Sequence, residues 1–137
     1  MSGRTLLAGC ALLVIQALPA AAQQATSVAR GQALFESRCI ACHSLDDNRV
    51  GPALRTVIGR TAGKARDYAY SSAMTAATHT WNREKLTAWL TNPEDVVPGQ
   101  AMNYRLDVAQ DRIDVVAYLA SLAKAVASAP AAAAHGH

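Results

Sequence analysis

Cys39-Ile40-Ala41-Cys42-His43 is the stretch that decides how this chain is read. Two thiols separated by two residues on the first turns of a helix can each add to one vinyl group of the same porphyrin. The histidine that follows at once is placed to reach the iron, and the run is the attachment pattern of a c-type haem. A bare C-x-x-C would leave open a thioredoxin-like redox pair or half of a zinc site. His43 tips the balance towards haem, and a zinc ribbon would need a second ligand pair, whereas no cysteine follows Cys42.

Upstream, Arg4, the apolar run Leu6 to Leu18 and Pro19-Ala20-Ala21-Ala22 before Gln23-Gln24 read as a secretory signal, with residues 1–22 removed by cleavage after Ala22. The apolar run is shorter than the roughly 20 residues that span a bilayer. Leu7-Ala8-Gly9-Cys10 matches a lipobox by letter, but most of the apolar run comes after Cys10, so this cysteine is assigned to the discarded signal. The mature part then holds two cysteines, both committed to haem, and no disulfide. At about 115 residues it fits one small domain, which buries only a modest share of its surface and gains an apolar body from the porphyrin.

The 137-residue chain carries 13 basic and 10 acidic groups, and loss of Arg4 takes the excess from three to two before the propionates of the haem are counted. No basic block supports nucleic-acid or anionic membrane binding.

Val28, Gly31, Leu34 and Phe35 recur at helical spacing between Thr26 and Cys39, with Ser27 or Thr26 as the cap, so a helix leads into the motif. Leu45 to Gly63 is rich in turn residues and reads as a wrapping loop, and no credible strand pair is present. A short helix is expected around Tyr70 to Ala77. A firmer one follows Asn82 as N-cap, with Leu86, Trp89 and Leu90 on one face and Asn92-Pro93 as its stop.

The clearest helix is the last. Asp107 to Gln110 resembles a capping box, Asp111 adds negative charge to the first turn, and Ile113, Val116, Ala117 and Ala120 form an apolar stripe. Val115, Tyr118, Leu119 and Leu122 widen that face. Residues 23–125 make the domain, and the Ala-rich stretch 126–137, ending in His135-Gly136-His137, reads as a disordered tail.

A haem with histidine on one face has a second axial position, for which His79, His135, His137, Met74 and Met102 are candidates. Met102 stands out because it lies in the turn Val97-Pro98-Gly99-Gln100-Ala101-Met102, although an isolated methionine is more often core filler.

From Gly31 to Leu122 the sequence resembles a class I cytochrome c of the mitochondrial and alphaproteobacterial branch. Gly31-Gln32-Ala33-Leu34-Phe35 with Cys39 to His43 is similar to the family's first helix and haem motif, and Gly51-Pro52-Ala53-Leu54 to its G-P-x-L loop. Gly59-Arg60, Tyr68-Ala69-Tyr70 and Thr80-Trp81 are similar to the propionate side, and Asn92-Pro93 with Pro98 to Met102 to the axial methionine loop.

The resemblance implies an all-α class I cytochrome c fold, with three main helices, short helices and loops wrapped around one covalent haem c. It implies thioethers at Cys39 and Cys42, axial ligands His43 and Met102, Pro52 as the carbonyl partner of His43, and Arg60, Tyr70 and Trp81 on the inner propionate. It also implies close packing of Gly31 and Phe35 against Val115 and Tyr118. The implied function is that of a periplasmic, monomeric single-electron carrier. Such a carrier is not an enzyme, and it docks transiently with redox proteins at the haem edge beside Cys39 and Cys42.

The departures from the pattern are specific. Ala101 stands where the branch usually has lysine, Glu94-Asp95 where it has a lysine pair, Gln100 for threonine, Met74 for asparagine and Trp89 for tyrosine. The last two read as removing polar groups near the haem, and the loss of lysines reads as weaker lysine-driven docking, with Arg38 and Arg49 left as a positive rim. Trp89 and Tyr118 are favoured as core aromatics, and His79 as a solvated loop residue. A dedicated subunit of one oxidoreductase is the alternative function. A peroxidase or gas sensor, which would need a vacant sixth position, ranks below it, and a haem-free structural metal module lowest.

Overall fold

In the computed structural model, residue 17 and residues 19–129 are described. Five helices follow in order: α1 (Ala20–Arg38), α2 (Ser72–Ala76), α3 (Arg83–Thr91), α4 (Pro93–Val96) and α5 (Ala109–Ser128). The long helices α1 and α5 pack on each other, α5 also meets α3, and α3 meets α4. No strand forms among the described residues; a single antiparallel bridge joins Thr61 to Thr80, with Trp81 N–H donating to the Arg60 carbonyl at 2.9 Å beside it.

The three internal helices follow local chemistry. Asn82 Oδ1 accepts the Lys85 N–H at 2.8 Å and starts α3, and Ser71 Oγ accepts the Met74 N–H at 3.2 Å and starts α2. Pro93 ends α3 and also opens α4 as its first residue, where a missing N–H costs nothing.

The two long helices depart from expectation at their starts. Neither Thr26 nor Ser27 caps α1, which begins at Ala20 after Pro19 because the intervening alanines are strong helix formers. Thr26 Oγ1 instead donates to the Ala22 carbonyl, and Ser27 Oγ to Asp114 Oδ1. The capping box of α5 does not form either: its N-cap is Val108 with no side-chain bond, and Gln110 Nε2 donates to Asp114 Oδ1 at 3.0 Å. Arg112 Nη1 reaches back to the carbonyls of Leu106 and Asp107, at 2.6 and 2.9 Å, and ties down the entry to the helix. Ile113 is 51 % exposed and lies off the buried stripe, whereas Asp114 is wholly buried on it. The helix runs on to Ser128, so the boundary expected at 125 falls within it; residues 130–137 and most of the leader lie outside the described residues.

Asp114 is the polar centre of the α1/α5 crossing. Besides Ser27 and Gln110 it meets Arg30, whose Nη2 lies 2.9 Å from Oδ2. At the same crossing the Gly31 backbone lies so close to the Asp114 carbonyl that a Cβ would overlap it. Phe35 and Tyr118 pack with ring centroids 5.8 Å apart. The core continues from there through Val115 and Leu119 to Leu86, Trp89 and Leu90 of α3. Long α1 and α5 thus form a clasp, and the chain between them folds over one side of it.

Candidate haem site

Between the clasp and the overlying loops lies a cavity of about 470 Å³, within the roughly 300–1,000 Å³ usual for cofactor sites. All eight residues singled out in the sequence line it: Cys39, Cys42, His43, Pro52, Arg60, Tyr70, Trp81 and Met102. Val57, Leu86, Leu90 and Leu119 make much of the rest apolar.

The motif sits at the end of α1. Cys39 follows its last residue and stays bonded to it, N–H to the Phe35 carbonyl at 2.9 Å, and the turn continues as His43 N–H donates to the Cys39 carbonyl at 2.9 Å. Cys39 is half-buried and Cys42 exposed, so the two thiols stand at the mouth of the cavity. Burial, reinforced by the neighbouring Cys42, pushes the Cys39 thiol up to about 11.

His43 Nδ1 lies 2.9 Å from the Pro52 carbonyl oxygen. A carbonyl only accepts, so Nδ1 carries the proton and Nε2 keeps its lone pair for a metal. Burial lowers the pKa of the imidazole, the Pro52 bond opposes this, and the Arg60 charge lowers it further. Gly51 lies against the ring: a Cβ there would run into the imidazole. The loop is held to the motif by Gly51 N–H donating to the Cys42 carbonyl at 2.8 Å.

Arg60 is the strongest sign of an anionic group. Its Nε is buried and has no hydrogen-bond partner, and burial pulls its pKa down while Tyr70 opposes this. A buried cationic N–H without an acceptor is costly, and a carboxylate of a bound porphyrin would supply one. Tyr70 is half committed: its hydroxyl accepts the Ala65 N–H at 3.2 Å and keeps its own O–H to give. Trp81 is buried, with its ring 5.3 Å from Trp89.

Met102 Sδ receives the indole N–H of Trp89, Nε1 to Sδ 3.0 Å. The reading of Trp89 as a group that only removes polarity is therefore corrected, because the indole supplies a donor where it touches the methionine. His79 is corrected too. It is half-buried, its ring stands edge-on to Trp81 at 4.5 Å, and its Nε2 is buried without a partner. Met74, the other methionine at the cavity, is buried core. Glu94 and Gln100, read as mere departures, bond within the Met102 loop: Glu94 Oε1 accepts the Gly99 N–H at 2.8 Å and Gln100 Oε1 the Met102 N–H at 2.6 Å. Both bonds are local in sequence, but they match none of the common cap or turn patterns by which a sequence is read.

A lined apolar cavity, two thiols at its mouth, an oriented imidazole, a thioether and a half-buried guanidinium whose Nε lacks an acceptor fit a covalently held haem. Comparison with known proteins agrees. The cytochrome c family profile matches residues 28–123. The chain is 44 % identical over 96 residues to a cytochrome c of Euglena viridis, covering 68 % of this chain and 94 % of that one. It is 40 % identical over 94 residues to the cytochrome c-type cyt cy of Rhodobacter capsulatus, covering 67 % of this chain and 47 % of the relative. The solved structure of cytochrome cH from Methylobacterium extorquens superposes with a TM-score of 0.65 at 36 % identity, covering 69 % of this chain and 97 % of that one. With the all-α fold and the haem-shaped site already in place, these matches show that the chain belongs to the cytochrome c family: it is an electron-transfer protein, not an enzyme, and carries one covalently attached haem c.

Proposed function

We propose that this chain is an exported, periplasmic, monomeric carrier of single electrons. Cys39 and Cys42 form the thioethers, His43 and Met102 are the axial ligands, and Arg60, Tyr70 and Trp81 hold the inner propionate. When bound, haem c supplies a one-electron ferric/ferrous couple. His43 brings a neutral, oriented nitrogen, and the Pro52 carbonyl keeps its tautomer fixed and its basicity high. Met102 brings a soft sulfur, which favours the ferrous state relative to a second histidine. The apolar lining excludes water, and the Arg60 cation balances a buried negative charge.

The observation that carries this reading is that the His43 ring, fixed through Pro52, and Met102 Sδ, fixed through Trp89, belong to one cavity. The mouth beside exposed Cys42, with Ile40 47 % and Val50 75 % exposed, suits brief docking. Redox encounters of this kind bury less than about 1,200 Å². Export rests on the leader sequence at 1–22, and no helix among the described residues is long and apolar enough to cross a membrane.

The alternative, a dedicated subunit of one oxidoreductase, draws on the presence of only three lysines and on Glu94-Asp95. Glu94 has another use in the Met102 loop, which favours the free carrier.

The test is the optical spectrum of the purified, matured protein in both redox states, with a pyridine haemochrome assay. A c-type haemochrome with the far-red ferric band of methionine ligation is the expected result, lost in Met102→Ala. A c-type haem without that band would remove Met102 from the ligand set. Cys42→Ser should leave labile or absent haem. A molecular mass starting at Gln23 and a monomer on sizing bear on export and assembly, and a stoichiometric co-purifying enzyme would favour the subunit.

A further inference from the structure

Three side chains that differ from the resembled family pattern, Trp89, Glu94 and Gln100, converge on Met102. Gln100 is 8 % exposed, and its amide is used at both ends. Oε1 accepts the backbone N–H of Met102 at 2.6 Å and of Asn103 at 3.0 Å. Nε2 donates to Asn103 Oδ1 at 3.0 Å and more weakly to Glu94 Oε2 at 3.4 Å. Glu94 is fixed in turn, its other oxygen accepting the Gly99 N–H at 2.8 Å. Asn103 takes a positive φ of 48°, so the chain turns sharply just after the methionine, and the Gln100 amide spans that turn. On the far side the Trp89 indole holds the sulfur.

We propose that Gln100, anchored by Glu94, is a positioning residue that clamps the Met102 loop and keeps the sulfur at the cavity, so that small external ligands are refused the second axial position. The proposal rests on the reading of Met102 as a ligand. A methionine side chain has three rotatable bonds and a soft sulfur, and does not hold itself in one place. Rotation of the side chain alone must break the Trp89 contact, and withdrawal of the loop that carries Met102 breaks the Gln100 bonds to two successive N–H groups. The buried amide would then lose its partners as well, an asymmetry that makes opening more costly than the two bonds alone. The amide and indole groups of the clamp do not titrate in the ordinary range.

An external ligand binds only the open form, so its apparent affinity scales with the open fraction. Two bonds of ordinary net strength correspond to about a fivefold to hundredfold change in that fraction.

The experiment uses the matured holoprotein, with imidazole as the probe of the ferric form and carbon monoxide as the probe of the ferrous form. Gln100→Ala should bind imidazole at least about fivefold more tightly than the parent, with a shifted reduction potential. Glu94→Ala should change in the same direction by less, while Glu94→Gln, which keeps an acceptor for Gly99, should stay within about twofold of the parent. If Gln100→Ala does not retain haem, the Glu94 pair decides alone. Variants and parent that bind imidazole equally, all keeping the far-red methionine band, would overturn the clamp while leaving Met102 as ligand. A parent that lacks the band overturns the ligand assignment and the clamp with it.

Discussion

The backbone of Gly31 lies directly against the carbonyl of Asp114, with no room for a methyl group between them. Tyr118 Cβ closes the same space at 2.9 Å from where a side chain would start. Gly31→Ala must therefore push α1 away from α5. Overpacking of this kind costs about 1–3 kcal/mol and sometimes more. Thermal or denaturant unfolding of the holoprotein should show that loss, and an unchanged midpoint would mean that the helices yield freely.

Asp114→Ala removes the acceptor shared by Ser27 and Gln110 and the ion partner of Arg30. Breaking a fully buried ion pair costs about 3–5 kcal/mol, but the Arg30 side chain is 53 % exposed and regains water. The loss should thus be smaller, about 1.5–3 kcal/mol, from charged hydrogen bonds left unmade. Asp114→Asn should fall between the two, and equal stability of all three proteins would contradict the network.

Gly51→Ala should disturb the site more than the fold. The added methyl meets the His43 ring, so the imidazole must turn away from the Pro52 carbonyl. The expected outcome is a lower yield of holoprotein and a shifted reduction potential, both read on the purified protein. Helical content by circular dichroism should stay near that of the parent.

Trp89→Phe keeps an aromatic ring and deletes the N–H to Met102 Sδ. A donor on sulfur draws electron density from it, so the sulfur gives less to ferric iron and its leaning towards the ferrous state is strengthened. Its loss should lower the potential by an amount equivalent to about 1 kcal/mol. Voltammetry of parent and variant checks this, and a potential unchanged or raised would show that the contact is packing alone.

His79 supplies a pH dependence. Burial, with the Lys85 charge adding, lowers its pKa below the ordinary 6.5. The folded protein then binds this proton less readily than the unfolded chain does. The stability linked to His79 is complete above the unfolded value and is lost as pH falls through the folded one. Because the residue is only half-buried, the effect is screened to roughly a few tenths of a kcal/mol. Melting temperatures of parent and His79→Gln should diverge as pH falls below 6.5, and parallel curves would exclude His79.

Much of this molecule can be read before it is seen folded. The haem motif, the Asn82 cap, the Pro93 stop and the Gly31 crossing each depend on neighbours in sequence or on a residue type that one geometry requires. Ser27 and Gln110 were misread as caps for the opposite reason. Their side chains do suit a helix start, but the buried Asp114 carboxylate, across the crossing from Ser27 and one turn along the same helix from Gln110, outcompetes the local backbone. Periodicity placed Ile113 inside because it counts apolar letters, and the face that packs contains Asp114 instead. His79 is set by its packed surroundings, whereas Glu94 and Gln100 bond within their own loop, between residues 94 and 103, in a pattern that no common turn motif announces.

The Ser27 to Asp114 bond joins residues 87 positions apart. Closing a loop of that length costs about 4 kcal/mol in chain entropy before any contact repays it. The segment inside the loop includes every residue that lines the haem cavity apart from Val115 and Leu119 of α5. Anything that slackens the clasp therefore takes a common support from the Pro52 loop and the Met102 loop at once. Grip on the two faces of the cofactor is set by how firmly the two ends of the domain stay together.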